Sequence, residues 1–454
     1  MPKLKSRLTA ADIMKEIKID QFLNSSTPER KKELDNIVSY MKDALQSMES
    51  DPTNHTLHME KVHTFLSGLW EKYDSQDIIE ILDNLTRVEP PLMDFGRNGV
   101  EVYRDHYVHI FNVYILGLRI LSKVIEKAGN NAKKLLKVND EHINNIIPAF
   151  HDYEWKERLF YLWTLIATFH DISIPITRLN TVNDSLNKFL GKFGLQAMGP
   201  SLVPIFPSDV EDFYDALSRI YEGQIKAVDD WSYERSRQNH YVHSVLRSEF
   251  RRSNHGVLSA FLMYTKTRDI FLEGKNKRPL EMDLYNKWIE YVLKQDIARA
   301  ALAISLHDLA PSHDDRMYPR CIPVDFKKYP LTCLLIITDC MQEYFRWEGT
   351  SIVGGSKFLS FPQLDVVMSG NSRRIEFFLT MGTKGEGEYL LERINALKKI
   401  QNQPPVDTVG KAAADVCDRI CDELSTKIKK GSVPVKLNVK DKKDQVVYSK
   451  SIHL

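Results

Sequence analysis

The sequence predicts a mainly α-helical protein that ends in a small α+β domain. Apolar residues recur at helical spacing up to about residue 350, whereas strand-like alternation is confined to the residues after it. The apolar content of 43% and the charged content of 27% are those of an ordinary globular protein. A chain of 454 residues is longer than a domain with a single hydrophobic core usually is, so we expect two or three domains.

Residues 1–95 are predicted to form an N-terminal helical region. Thr27-Pro28 is typical of a helix start, because threonine caps free backbone amides and proline suits the first helical position. Further amphipathic patterns cover 62–70 and 78–82. We expect Pro90-Pro91 to end this region, since proline interrupts helical hydrogen bonding.

Residues 96–350 are predicted to form a central helical domain. Its polar stretch at about 177–245 contains short helical patterns of its own and is interpreted as an inserted lid or cap. The helix-like segments of this domain are 101–127, 155–170, 254–272, 284–307 and 329–346.

Residues 356–454 are predicted to form the small α+β domain. LDVVMS and RRIEFFLTM alternate around Gly370-Asn371, a pattern typical of a β-hairpin. Helices are expected at 388–401 and 409–430, and VPVKLNVKD with QVVYSKSI predicts a second hairpin.

The composition narrows the classes of function. A net charge of +1 gives no electrostatic reason to expect nucleic acid or a membrane surface as the main partner. The charged N-terminus lacks the apolar core of a signal peptide, and the uninterrupted apolar runs are too short to span a bilayer. Five cysteines without a C-x-x-C motif indicate reduced core residues. We therefore expect a cytoplasmic protein, with the terminal regions available for a protein partner or a homo-oligomer.

His-Asp dipeptides are more frequent than the 14 histidines predict, since chance gives about one and the chain has four. His151-Asp152 and His313-Asp314 lie in polar contexts, where a solvated surface pair is the simple interpretation. His170-Asp171 and His307-Asp308 instead end the apolar stretches LWTLIATFHD and ARAALAISLHD. A charge placed there needs compensation, by hydrogen bonds or by a metal.

Four further polar residues of metal-ligand type lie in apolar helical patterns. Each alone could be a histidine bonded to a backbone carbonyl, or an aspartate paired with an arginine. Together with the two His-Asp pairs they make a metal site the better interpretation. They are His106, His109, His255 and Asp339.

The ordered set His109, His170-Asp171, His255, His307 and Asp339 resembles the HD-domain metal-dependent phosphohydrolase superfamily, in its dinuclear H…HD…H…H…D form. FHDISIPI resembles the HDIGYPI stretch of bacterial HD hydrolases, NHGVLSA their D-H-G-x-x-S-A segment, and TDCMQEYFRW a D-x-x-Q-E-W-x-R ending. The resemblance covers about residues 95–350 and implies a helical HD-domain core. The sequence departs from the pattern at Ser173, Asn254 and Tyr344, which leaves the substrate open.

The resemblance implies a division of ligands between two ions. His109, His170, Asp171 and Asp339 would hold one divalent metal, and Asp171 would bridge to a second metal held by His255 and His307. Mixed imidazole and carboxylate ligands suit Mn²⁺, Fe²⁺ or Zn²⁺. The implied activity is hydrolysis of a nucleotide or a related phosphate ester by a hydroxide that two metals activate.

Residues at the rim of the implied site are assigned more loosely. His109 rather than His106 is taken as the ligand, from the register of the YILGL segment and Gly117. His106 or Asp105 would then be placed to protonate a leaving oxygen, as in related cyclic-nucleotide phosphodiesterases. Two interpretations remain for Arg104, Arg251 and Arg252: they are ordinary surface arginines, or they contact the phosphate of a substrate.

Two other functions share these sequence features. The same H/HD/H/H/D set on the same helical scaffold supports oxygen chemistry in inositol-oxygenase-like proteins, so a diiron oxygenase is the alternative enzyme. A non-catalytic ligand-binding sensor is the alternative outside enzymes, although a pure binder has no need for six costly buried polar groups.

Overall fold

A computed structural model shows a mainly helical protein with a small sheet near its C-terminus, as the sequence predicts. The domain boundaries and the inserted lid stay predictions. The structure describes residues 8–23, 27–51, 54–73, 75–93, 103–104, 106–138, 155–177, 187, 192, 207–220, 245–250, 254–276, 292–309, 324–343, 348–349, 363–369, 374–381, 391, 395, 398–399, 404–440 and 445–453.

The N-terminal region contains four helices of eight or more residues. The Thr27 side chain accepts a hydrogen bond from the Arg30 amide, and Pro28 is the first helical residue, so the predicted helix start is confirmed. Pro90-Pro91 was expected to end this region, but the helix that contains both prolines continues to Met93. Proline is compatible with helical φ, and the helix ends only two residues after Pro91. The helices are α1 (Ala10–Ile17), α2 (Pro28–Ser50), α3 (His55–Glu71) and α4 (Gln76–Met93).

The central region contains the helices that carry the candidate ligands. Their bounds follow the predicted segments within a few residues where these are described, and a π-helical stretch, Val292–Ile297, precedes one of them. The helices are α5 (His106–Ala128), α6 (Ala132–Leu135), α7 (Trp155–Phe169), α8 (Pro207–Ile220), α9 (His255–Asn276), α10 (Ala298–His307) and α11 (Pro330–Glu343).

Helices α5 and α7 form the centre of the helical core and are buried along most of their length. They approach closely at Gly117, where even a methyl group would overlap the indole ring of Trp163. The same indole donates a hydrogen bond to the Tyr114 carbonyl at 3.1 Å. This close packing fixes the separation of the two helices from which His109 and His170 project.

Among the described residues, two helical stretches are long and apolar enough by length and composition to span a membrane. They are Tyr107–Leu135 and Trp155–Thr177, and the most apolar windows are 94% and 89% buried inside the protein. Such burial is typical of the core helices of a soluble protein. Cytoplasmic localisation stays a prediction.

The C-terminal region contains a long helix, α12 (Val409–Lys427), and a four-stranded sheet. Two short strands elsewhere in the chain, β1 (Tyr103–Arg104) and β2 (Glu348–Gly349), pair with each other. The strands of the sheet, in their spatial order, are β3 (Gln363–Ser369), β4 (Arg374–Met381), β5 (Pro434–Lys440) and β6 (Val446–His453).

Both predicted hairpins are confirmed, because β3 pairs antiparallel with β4 and β5 with β6. The middle strands β4 and β5 pair in parallel, which the sequence did not predict. In the predicted helix 388–401 the four described residues are helical.

Helix α12 is attached to the helical core by backbone hydrogen bonds at its C-terminal end. The Val324 amide donates to the Lys427 carbonyl at 2.8 Å, and the Lys429 amide donates to the Val324 carbonyl at 2.9 Å. This bridge brings the end of α12 to the start of the segment that leads into α11. The four described cysteines are buried free thiols, as predicted.

Candidate metal centre

The structure brings the six predicted ligand residues together from five places in the chain. They form two groups that share Asp171, and within each group the ligand atoms lie within 4.8 Å of one another. The first group is His109, His170, Asp171 and Asp339, and the second is Asp171, His255 and His307. This grouping agrees with the division that the resemblance implies. Binding of ions at these groups stays a prediction.

Five of the six ligand residues lie at or next to helix ends, and Asp339 projects from within α11. His109 lies in the first turn of α5, and His170-Asp171 follows the last residue of α7. His255 is the first residue of α9 and His307 the last residue of α10. Short polar segments at helix ends can place a side chain into a shared space without disturbing the apolar faces that pack the core.

Asp171 lies between the two groups, and each of its oxygens faces one of them. Oδ2 is 3.5 Å from His109 Nε2 and 3.6 Å from His170 Nε2. Oδ1 is 3.4 Å from His255 Nε2 and 3.7 Å from His307 Nε2. A carboxylate with one oxygen toward each group has the arrangement required of a ligand that bridges two ions.

Asp339 completes the first group. Its Oδ1 lies 3.0 Å from His109 Nε2 and 3.9 Å from His170 Nε2. The two imidazole nitrogens are themselves 3.3 Å apart. The polar atoms of His109 from α5, His170 from the end of α7 and Asp339 from α11 thus converge on one point.

Hydrogen bonds at Nδ1 fix the tautomers of three of the four histidines. His170 Nδ1 donates to the Ala167 carbonyl at 2.9 Å, and His307 Nδ1 donates to the Ile304 carbonyl at 2.6 Å. His255 Nδ1 faces Asp308 Oδ2 at 3.0 Å. In the neutral form each of these rings would present the lone pair of Nε2 toward Asp171, which is how metal-ligating histidines are usually oriented. Burial lowers the pKa of His255, but the hydrogen bond to Asp308 and the charge of Asp171 raise it more, so a metal there would compete with a proton.

The chemistry of the six ligand residues suits the binding of divalent cations. Lone pairs of imidazole that face a buried carboxylate repel it, unless positive charge lies between them. Among the described residues, the buried Nε2 of His307 has no hydrogen-bond partner, although it points into the group. A cation bound by imidazole nitrogen and carboxylate oxygen would satisfy these atoms together.

The ionisation of the ligands also suits metal binding. Burial alone would raise the pKa of Asp171 and Asp339, but positive charge on the neighbouring imidazoles outweighs it and lowers both pKa values well below the usual range. Burial lowers the pKa of His170 to about 4. His170 is therefore neutral at pH 7, the form that ligates metals, and positive charge among the rings, from protons or from a cation, would keep Asp171 and Asp339 ionised.

The second apolar His-Asp pair contributes its histidine to the site but not its aspartate. Asp308 accepts hydrogen bonds from His255 Nδ1 at 3.0 Å and from Asn254 Nδ2 at 2.9 Å. It therefore orients a ligand from outside the group. The sequence contained this pair, but it did not indicate the supporting role.

Two departures from the family pattern support the start of α9. The Ser173 hydroxyl donates to the His255 carbonyl at 2.8 Å, and Ser259 donates to the Ser173 hydroxyl at 3.0 Å. Asn254 caps α9, since its Oδ1 accepts the Val257 amide at 3.0 Å. An asparagine just before an apolar helix was the sequence signal available for this cap.

Helix α12 brings a buried cation toward the same site. The Lys427 side chain is 10% exposed and its Nζ lies 2.9 Å from Glu423 Oε1. Burial lowers the pKa of Lys427, but nearby negative groups, Asp339 among them, raise it more. The charge of Lys427 also contributes to the lowered pKa of Asp308. No pattern in the sequence indicates a role for this lysine.

The remaining predicted site residues cannot be placed. His106 begins α5, but its side chain lies outside the described part of the chain, as does that of Arg104 in β1. Their roles stay predictions. The same holds for Asp105, Arg251, Arg252 and Tyr344, which lie outside the described residues altogether.

No model of a known protein family, no curated protein and no solved structure matches this chain. The ordered ligand residues and the geometry that brings them together are compatible with an HD-type site.

Proposed function

We propose that this protein is a metal-dependent phosphohydrolase or phosphodiesterase that acts on a nucleotide or a related phosphate ester. The observation that supports it most is the position of Asp171 between two groups of ligand atoms. Two divalent cations, when bound there, would supply an activated hydroxide and stabilise the charge that develops on phosphate oxygens.

The chain's own residues prepare the site for this chemistry. Carbonyls of Ala167 and Ile304 hold His170 and His307 in the ligating tautomer. His109, His170 and His307 are at most 1% exposed, so bulk water is excluded from the inner wall. Because these side chains are already ordered and shielded from water, they would not have to reorient when negative charge develops on the substrate during the reaction.

A substrate would approach from the side of His255, Asp308 and Asp339. Their side chains are 27%, 29% and 16% exposed, whereas the opposite wall is buried. The carboxylates at this opening would repel a phosphate unless cations are in place, which makes phosphate binding depend on the metals. His106, the first residue of α5, and Asp105, which precedes it in the sequence, stay the candidates for protonating a leaving oxygen.

The test is hydrolysis of a nucleotide panel by protein reconstituted with Mn²⁺ under nitrogen. We expect cleavage of at least one phosphate ester, because this chemistry needs neither oxygen nor a change of redox state. We expect His109→Ala and Asp339→Ala each to lower the rate by several orders of magnitude. Asp422→Ala, which changes an exposed aspartate of α12, is the matched control and should keep the activity.

Two results would contradict the proposal. Background activity on every ester, together with oxygen consumption by an iron-loaded sample supplied with a polyol or phosphonate, would establish the oxygenase. Binding of metal and nucleotide without turnover of either kind would establish a sensor.

A further inference from the structure

The first turn of α9 lies against the last turn of α10, beside the second ligand group, and Gly256 lies where the two turns meet. A methyl group on Gly256 would lie 2.9 Å from the Ile304 carbonyl oxygen, 3.1 Å from Asp308 Cβ and 3.3 Å from His307 Cε1. Atoms pack well at separations of about 3.5–4.0 Å, so some of these atoms would have to move.

Helix α10 is held in place and cannot easily move away. Every one of its residues except Arg299 is buried. Just before it, Asp296 accepts two hydrogen bonds from the buried Arg158 of α7, at 2.6 and 2.5 Å. The Ile304 carbonyl also accepts the Nδ1 proton of His307 at 2.6 Å, so a shift of this oxygen would turn the imidazole ring.

The start of α9 is held from two sides. On one side the Ser173 hydroxyl donates to the His255 carbonyl at 2.8 Å, and the Ser173 amide donates to Ser259 Oγ at 3.1 Å. On the other side Asn254 Nδ2 donates to Asp308 Oδ2 at 2.9 Å. Movement of α9 away from α10 would stretch these bonds, and it would carry His255 with it.

The second ligand group tolerates little movement of either ring. His255 Nε2 and His307 Nε2 lie 3.4 and 3.7 Å from Asp171 Oδ1, and the two ring centroids are 5.2 Å apart. Imidazole nitrogen binds a metal such as zinc at about 2.0–2.1 Å, so a displacement of about 1 Å removes a ligand. The three described atoms nearest to a Gly256 methyl group all lie in α10 or directly after it, outside the first ligand group.

We infer that Gly256 is a positioning residue for the second ion, because the absence of a side chain there lets His255 and His307 face the same oxygen of Asp171. A larger residue at position 256 would therefore give a protein that holds the first ion and not the second. Gly256 would have this role whatever reaction the ions support, although the role rests on the two-ion centre of the proposed function.

Titration of Gly256→Ala with Co²⁺, followed by its visible spectrum, tests this role. We expect the first ion to bind with unchanged affinity. The second should bind at least about 100-fold more weakly, because loss of a contact outside the ligands already costs about 10- to 100-fold and here a ligand itself is displaced. The spectrum at one equivalent should match that of His307→Ala, which lacks a ligand of the same ion. A purely structural role of Gly256 would instead weaken both ions alike.

Gly410→Ala is the matched control, because a methyl group on this glycine of α12 meets nothing described nearer than the Val447 carbonyl oxygen at 3.9 Å. It should bind two ions as the original protein does. If Gly256→Ala does not fold, Ser173→Ala/Gly256→Ala leaves α9 freer to move away from α10, and it should likewise hold only the first ion.

Three results would overturn the role of Gly256. They are two ions bound with the original affinity by either folded variant, equal loss of both ions, and fewer than two ions in the original protein. The titration does not measure turnover. A protein that shows the expected loss of one ion but hydrolyses no phosphate ester would therefore contradict the proposed function alone.

Discussion

The ends of α7 and α10 carry the same His-Asp dipeptide, but the two aspartates have different surroundings. In both pairs the histidine Nδ1 donates to the carbonyl three residues earlier, Ala167 in one helix and Ile304 in the other. Both histidines therefore present Nε2 to the same centre. The dipeptide at a helix end thus determines the orientation of the imidazole.

The carboxylates differ because their neighbours differ. Asp171 is 2% exposed and lies among four imidazole Nε2 atoms. The Asp308 side chain is 29% exposed and meets His255 at Nδ1, the far side of that ring. The role of each aspartate is decided by which face of a histidine it meets, and the dipeptide itself carries no information about that.

The strongest test of this difference is Asp171→Ala. Because each oxygen of Asp171 faces a different ligand group, we expect the variant to lose both metal ions while it stays folded. Metal content by mass spectrometry and circular dichroism check this result. Wild-type occupancy in the folded variant would refute the bridging role.

The two histidines of the pairs are expected to act on different ions. His170→Ala should remove the ion of the first group and His307→Ala that of the second, so each variant should retain about one equivalent. Titration with Co²⁺, followed by its visible spectrum, measures the stoichiometry. Loss of both ions from either variant would show that the groups do not bind independently.

Asp308→Ala should have a smaller effect than either change. Asp308 orients His255 without lying among the ligand atoms, and loss of such a partner usually costs about 10- to 100-fold in metal affinity. We expect two ions to bind, with the weaker affinity confined to one of them. If Asp308→Ala bound no metal at all, Asp308 rather than Asp171 would be the bridging ligand.

The smallest expected effect is that of Asn254→Asp. Aspartate caps a helix as well as asparagine does, so α9 should keep its start. It would place a second carboxylate beside Asp308 and remove the donor at 2.9 Å. We expect metal affinity to change less than about tenfold, with thermal unfolding nearly unchanged. A large fall in stability would show that the Asn254 side chain has a structural role beyond its cap.

Much of the fold followed from local patterns. The segment 155–170 was predicted as a helix and the structure has Trp155–Phe169, because its apolar residues pack all around. Alternation in β3 to β6 indicated the hairpins, but not the parallel pairing of Phe377 with Val435. That pairing depends on the crossover through α12, and strand alternation is the same for both orientations.

The sequence by itself determined which residue types end the apolar helices, and in what order along the chain. The tertiary structure decided which atoms meet, since His109 lies 61 residues from His170 and 230 from Asp339. It also decided that Asp308 supports His255 and that Lys427 approaches the site. These outcomes depend on distances across packed helices and on burial, which no local pattern contains, because periodicity specifies a helix face but not the partner against which it packs.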